Sequence, residues 1–293
     1  MKFDDFNIAR DKEKNRQLFK QGYCTIKLLD REKVAHLQDI FHAHHQNESI
    51  EGLFVSSNMK SWDELIAISN KISAVVNDAI DEHFNAVDKI GGTFIVKNQD
   101  PTNLLHPHQD WSIVDEEKHR SFTIWIALQA VNESNGALYV LPTSQDWVRG
   151  YRHISIPSVY GRIYNLTWSY MKPIYLEAGE AIVFDHSLVH ASQANTSGQL
   201  RIAATTTILT QGASMRISCN NNGQVEEYAC PSGFYIRPEA QKGPFDLPKI
   251  KDVAFEMVQL NEEQFISFAR KHKLTPAKRE ASLFNKLKSL FKK

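Results

Sequence analysis

The sequence predicts a mainly β fold with flanking helices: a sandwich or barrel core, with helices buttressing one of its faces. Three observations carry this. Many short β-like runs, bounded by turn residues, fill the chain after Gly91 and Gly92. Apolar residues at helical spacing occur ahead of that point. Helices thus come first and strands later, an order that argues against an alternating parallel βα architecture.

Along the chain, Tyr23 to Leu29 alternates modestly and reads as a strand. Asp30 then stands where a helix N-cap belongs, ahead of apolar positions Val34, Leu37, Ile40 and Phe41. Ser61-Trp62-Asp63-Glu64 has the capping-box pattern and opens a second helix, with the stripe Leu65, Ile68, Ile72, Val75 and Ala79. The β-like runs are Thr93 to Lys97, Ser121 to Val131, Ala137 to Leu141, Lys172 to Glu177, Ala181 to Asp185 and Arg201 to Leu209. Loops such as Asn132-Glu133-Ser134-Asn135-Gly136 separate them. There is no internal repeat, linker or low-complexity tract. Residues 1–270 therefore read as one domain, with its β core over about 90–235, followed by a tail over 271–293.

Composition narrows the function classes. Lys plus Arg total 34 and Asp plus Glu total 34, and this balance argues against a general nucleic-acid binder. A hydrophobic content of 42%, with 16 Phe, suffices for a core and excludes wholesale disorder. Cys24, Cys219 and Cys230 are too few and too scattered for a disulfide scaffold or a Cys-based zinc cluster, and suit a reducing compartment. The start, Met1-Lys2-Phe3-Asp4-Asp5, lacks the apolar run of a leader, and no stretch reaches the roughly 18 apolar residues of a membrane span. A cytoplasmic protein acting on a small molecule is the expectation.

The densest chemical cluster is His106-Pro107-His108-Gln109-Asp110-Trp111. On an extended strand, His108 and Asp110 point to the same face. An imidazole and a carboxylate there form two-thirds of the 2-His-1-carboxylate triad that holds non-haem Fe(II) and leaves coordination positions open. A second His comes from the segment after Gly179, where His186 and His190 are both at hand. Eleven residues after His190, Arg201 opens the strand Ile202-Ala203-Ala204-Thr205, and a buried Arg can clamp a carboxylate through parallel hydrogen bonds. His106 and His108 also form a His-x-His pair of cupin type, but Trp111, Ser112 and Ile113 stand where that triad needs Glu.

In this order the residues resemble the phytanoyl-CoA dioxygenase family of Fe(II)/2-oxoglutarate-dependent oxygenases. The resemblance runs from about Gly22 to about Leu209 and is strongest over His106 to Gln145 and Gly179 to Ile208. Trp125-Ile126-Ala127-Leu128, Asn135-Gly136-Ala137-Leu138 and Leu141-Pro142-Thr143-Ser144 match the family's middle section. The resemblance implies a double-stranded β-helix, or jelly roll. It implies the iron triad on His108, Asp110 and His190, and the 2-oxoglutarate-binding Arg on Arg201. Ser192 would assist Arg201, and Trp125 would line the co-substrate pocket. His190 is in the family register and His186 is not. The implied cofactors are Fe(II), 2-oxoglutarate as co-substrate and O₂. The implied reaction is hydroxylation of an unactivated C–H, with release of succinate and CO₂. Related halogenases carry Gly or Ala at the place of Asp110, so its presence favours hydroxylation. Family members often have Gly-Ser-His where this chain has Thr143-Ser144-Gln145, so the adjoining loop is expected to differ.

Two other classes stand beside this reading: a jelly-roll binding or regulatory module without chemistry, and an iron oxygenase that uses another co-substrate. Substrate selectivity is expected from the loops Gln145 to Ser169, given an aromatic and basic character by Tyr151, Arg152, Arg162, Tyr164, Trp168 and Tyr170, and from the segment after Gln211. His42-Ala43-His44-His45 suggests zinc, but no Cys or acid stands at ligand spacing, and the run closes an amphipathic helix.

Residues 271–293 hold eight basic residues and one acid, while residues 1–270 hold 26 basic and 33 acidic. Leu283, Phe284, Leu287, Leu290 and Phe291 form one apolar stripe on this basic segment. The tail is read as a helix that docks on the body or on another copy, with peripheral membrane binding as the alternative.

Overall fold

The structure, a computed structural model, describes residues 7–46, 49–56, 61–254, 256 and 258–277. The N-terminal part runs α1 (Lys12–Gln21), β1 (Tyr23–Lys27), α2 (Arg31–His45), β2 (Leu53–Val55) and α3 (Trp62–His83). The middle runs β3 (Val87–Lys97), β4 (Leu105–His108), β5 (Ser121–Ala127), β6 (Leu138–Val140), α4 (Tyr164–Tyr170), β7 (Lys172–Ile174), β8 (Glu180–Asp185), β9 (His190–Ser192) and β10 (Arg201–Thr210). Strands β11 (Arg216–Asn221), β12 (Gln224–Ala229) and β13 (Lys249–Val253) follow, then α5 (Glu262–Lys271).

The expected caps are formed. The Asp30 carboxylate accepts from the Lys33 backbone N–H and starts α2, and Ser61 Oγ accepts from the Glu64 N–H and starts α3. The predicted stripes of both helices are buried. Helix α1 is a further element: Asp11 caps two N–H groups, and Gly22 closes it in the left-handed region at φ +83°.

Three antiparallel sheets are present. The largest has the order β1-β8-β5-β10-β3-β2, the second β4-β9-β6-β7, and the third β11-β12-β13. Alternation along the large sheet sorts its residues into two layers. Phe122, Ile124 and Ile126 of β5, with Ala181 and Val183 of β8, face α2 and α3. Trp125 and Ala127 of β5, with Ile182 and Phe184 of β8, face the four-stranded sheet, where Leu138, Val140 and Ile174 meet them. This is the jelly-roll arrangement with helices on one face. Strands β5 and β8 are buried on both sides and so read as nearly continuous apolar runs.

Gly91 and Gly92 lie inside β3, which begins at Val87, and are not a boundary between regions. A Cβ on Gly92 would stand 2.5 Å from Ile72 Cγ2 and 2.9 Å from the Thr205 carbonyl oxygen. The missing side chain is what lets α3 lie close against the sheet. The β structure extends past the expected 90–235 at both ends, through β1 and β13. The basic stripe from Leu283 to Phe291 lies outside the described residues.

Candidate active site

Strands β4 and β9 pair antiparallel, and their register sets His108 opposite His190. The two rings lie 4.3 Å apart between centroids. Asp110 follows the end of β4, and its Oδ1 is 3.6 Å from His190 Nε2. One donor atom from each of His108, Asp110 and His190 lies within 4.8 Å of the others, which makes them the one such cluster among the described residues.

The backbone fixes which nitrogen each imidazole offers. His108 Nδ1 bonds the His106 carbonyl at 2.8 Å, and His190 Nδ1 bonds the Leu188 carbonyl at 3.1 Å. A carbonyl can only accept, so Nδ1 carries a proton in both rings, and Nε2 is the nitrogen that each ring can offer to a metal. Burial drives the His108 imidazole down to about 4, helped by neighbouring His190, so the ring is neutral near pH 7. Burial pushes the Asp110 carboxyl upward, but His190, His186, His108 and the Thr123 hydroxyl together hold it below its ordinary value. Thr123 Oγ1 donates to Asp110 Oδ2 at 2.8 Å. Two imidazoles that can each turn Nε2 to the cavity, with a carboxylate held below its ordinary pKa, are a donor set that fits a divalent iron ion.

The cavity, of about 340 Å³, lies between the two larger sheets. His108, Asp110, His190, Ser192, Arg201 and Trp125 all line it. Arg201 is among the largest fully buried side chains. Its guanidinium lies over the Trp125 ring at 4.9 Å, and its Nε and Nη1 have no hydrogen-bond partner. Burial lowers its pKa to about 10, so it stays charged near pH 7. A buried cation with unused donors facing a cavity fits a carboxylate ligand. Across the β10–β3 ladder Arg201 faces Lys97, which is also buried. Lys97 Nζ donates to Ser192 Oγ at 2.8 Å and to the Gln193 carbonyl at 2.5 Å.

A family model described as phytanoyl-CoA dioxygenase (PhyH) matches residues 20–203, more than half of the chain. The chain belongs to the phytanoyl-CoA dioxygenase family. It is accordingly an Fe(II)/2-oxoglutarate-dependent oxygenase, with Fe(II), 2-oxoglutarate and O₂ as cofactors and co-substrates. Solved structures agree in fold. The non-heme alpha-ketoglutarate-dependent carbocyclase SnoK from nogalamycin biosynthesis is 17% identical, over 74% of this chain and 89% of that one, with a TM-score of 0.52. The epimerase SnoN from the same biosynthesis is 15% identical, over 92% of this chain and 98% of that one, with a TM-score of 0.53. SnoN has also been solved with Fe3+, alpha ketoglutarate and nogalamycin RO; that structure is 16% identical over 86% of this chain and 96% of that one, with a TM-score of 0.52. No curated protein matches the chain significantly.

Around the site of this phytanoyl-CoA dioxygenase family member, several residues differ from expectation. His186 is fully buried, does not line this cavity, and neither ring nitrogen has a hydrogen-bond partner. Burial lowers its pKa, so it is a neutral packing residue beside Asp110. Arg152 does not face the cavity: it is buried in a two-pronged pair with Glu116 at 2.5 and 2.8 Å, and its Nε holds the Asp110 carbonyl at 2.7 Å. Arg162, Tyr164 and Trp168 are likewise off the cavity wall, and α4 turns the expected loop into a packed element against Phe265 of α5.

The segment after Gln211 does contribute: Tyr235, Ile236, Arg237 and Gln241 roof the cavity. Trp111 lines it too, packed on His153 and Tyr235. His106 stacks on Tyr164 and takes no part in the donor cluster. In the His42 to His45 run, His45 bonds the Phe41 carbonyl and His44 meets Lys71, with no metal-like grouping. In the Thr143-Ser144-Gln145 loop, Ser144 Oγ accepts from the Val189 N–H at 2.8 Å, which fixes the entry to β9 beside His190. No helix among the described residues is long and apolar enough to cross a membrane.

Proposed function

We propose that His108, Asp110 and His190 hold Fe(II), that Arg201 and Ser192 hold the distal carboxylate of 2-oxoglutarate with Trp125 as a wall, and that the enzyme hydroxylates an unactivated C–H of a small molecule. Residues 1–270 act together as the oxygenase unit in this reading. The observation that carries it is the donor cluster sharing one cavity with the unpartnered Nε and Nη1 of buried Arg201. When bound, the iron supplies, with 2-oxoglutarate and O₂, the oxidising power for the C–H bond, and the co-substrate leaves as succinate and CO₂.

The chain's residues do the positioning. The Nδ1 bonds to the His106 and Leu188 carbonyls lock both rings with Nε2 turned to the metal. Thr123 occupies Asp110 Oδ2 and leaves Oδ1, the oxygen near His190, as the ligand atom. Lys97 takes a lone pair of Ser192 Oγ, so the Ser192 proton is directed to an acceptor other than Lys97, the co-substrate carboxylate in this reading. Buried Arg201, with Lys97 opposite it and neither bonded to a described carboxylate, favours an anionic co-substrate over a neutral one.

An anaerobic titration tests the proposal. Adding Fe(II) and 2-oxoglutarate to the purified protein should give a visible charge-transfer absorption band that Asp110→Ala lacks. Full turnover by Asp110→Ala at trace iron sinks the triad assignment. Iron binding without 2-oxoglutarate binding points instead to another co-substrate.

A further inference from the structure

The roof of the cavity comes from a stretch the family match does not reach, since that match ends at residue 203. The stretch is anchored. His153 Nε2 donates to the Ala240 carbonyl at 2.7 Å, and Tyr235 sets its ring edge-on to Trp111, the residue after Asp110. Successive turns close its backbone, with the N–H of Phe234, Arg237 and Ala240 bonded to Pro231, Phe234 and Arg237.

Most polar groups of the cavity wall are already engaged. Thr123 donates to Asp110, Thr205 to the Thr93 carbonyl and Thr206 to the Ile90 carbonyl. Arg201 fits the co-substrate. Arg237 remains. It lines the cavity and is exposed to solvent, and it makes no ion pair with a described carboxylate. Its guanidinium lies over the Trp62 ring at 3.9 Å. Stacking uses the face of the guanidinium and fixes its plane, leaving the N–H edges for an acceptor. The lining of the same cavity also includes apolar Leu53, Val55, Trp111 and Ile236.

We propose that Arg237 reads an anionic group of the substrate. The substrate has an apolar part, which carries the reacting C–H into the cavity, and a carboxylate or phosphate, which Arg237 holds at the mouth. The cavity's 340 Å³ is near the lower bound for ligand pockets, so the charged group sits at the rim while the apolar part fills the interior. This rests on the reading of the cavity as a 2-oxoglutarate site. Arg152, whose Nε bonds the Asp110 carbonyl, is consumed by Glu116 and does not serve this role.

The test uses full-length protein loaded anaerobically with Fe(II) and 2-oxoglutarate, so that Arg201 is occupied. Hexanoate, hexyl phosphate and hexan-1-ol are titrated by calorimetry. At least one anion should bind about tenfold or more tighter than the alcohol, as one charge-assisted pair implies. Arg237→Gln should remove that preference, and Arg237→Lys should retain part of it. The ranking of the two anions tells carboxylate from phosphate. Equal affinity for the three probes, no binding of either anion, or a preference retained in Arg237→Gln overturns the assignment. The 2-oxoglutarate absorption band is followed in the same samples. A wild-type protein without it sinks the underlying reading of the cavity. A wild-type protein with the band but no anion preference sinks only the role of Arg237.

Discussion

His108 and His190 are register partners across β4 and β9, with their rings 4.3 Å apart and inclined at 52°. A pairing of two short strands thus brings together residues 82 positions apart in the chain. The same ladder places Ser192 opposite Leu105, two steps further along, on the cavity wall with Arg201. The two imidazoles and Ser192, the proposed metal donors and a proposed co-substrate donor, are therefore set by one piece of backbone geometry.

Thr123 is the support of Asp110 that lies on a different strand, β5. Thr123→Val keeps the shape and removes the donor. Fe(II) affinity should fall by about 10–100-fold, the usual cost of losing a partner that orients a metal ligand. Thr123→Ser should restore most of it. Competition against a chelating dye measures both, and an unchanged affinity in Thr123→Val refutes the role.

Arg201→Ala should leave Fe(II) affinity near the wild-type value and weaken 2-oxoglutarate by about 10–100-fold. That range corresponds to the roughly 1.5–3 kcal/mol of a hydrogen bond to a charged group. The anaerobic absorption titration separates the two. Loss of iron with the co-substrate affinity retained is the contrary result.

Lys97 gives the fold a pH dependence. Burial, with Arg201 beside it, lowers its pKa from 10.5 to about 7. The unfolded chain returns it to an ordinary lysine, so above about pH 7 and up to about pH 10 the unfolded state binds more protons. Stability then rises with pH across that window, by up to about 1.4 kcal/mol per pH unit from this group. Urea unfolding across the window should show this slope in the wild type and lose it in Lys97→Met. An identical slope in the two proteins counts against it.

Gly92→Ala places a methyl group against Ile72 and the Thr205 carbonyl oxygen. The carbonyl belongs to a central strand and cannot yield without disturbing β10. The substitution should cost about 1–3 kcal/mol, the usual range for overpacking. Denaturant titration checks it, and a neutral result shows that α3 can shift.

The sequence made the central strands and α2 and α3 legible because their burial follows simple periods and their caps are side-chain chemistry. The third sheet was hidden for the opposite reason. On β12 the buried residues include Glu226 and Glu227, compensated by Lys249 at 2.8 Å and Arg216 at 3.2 Å, so no apolar pattern marks them. Helix α1 buries one apolar side chain, Leu18, and leaves little periodic signal. Of the donor cluster, His108 and Asp110 were legible from their spacing of two, whereas His190 was told from His186 only by the family resemblance. The Arg152–Glu116 pair was not, because a salt bridge between residues 36 apart has no local signature. The roof was placed only as a segment after Gln211, since nothing in Tyr235 or Arg237 fixes their distance from Asp110.

The anchoring of the roof through Trp111 has a consequence for segment exchange. The proposed donors and Arg201 all precede β11 in the chain, whereas the roof residues Tyr235, Ile236, Arg237 and Gln241 follow β12. On the proposed assignment, exchange of residues 231–242 should alter which molecule is admitted while leaving the donors in place, provided the newcomer keeps an aromatic face for Trp111 to rest against.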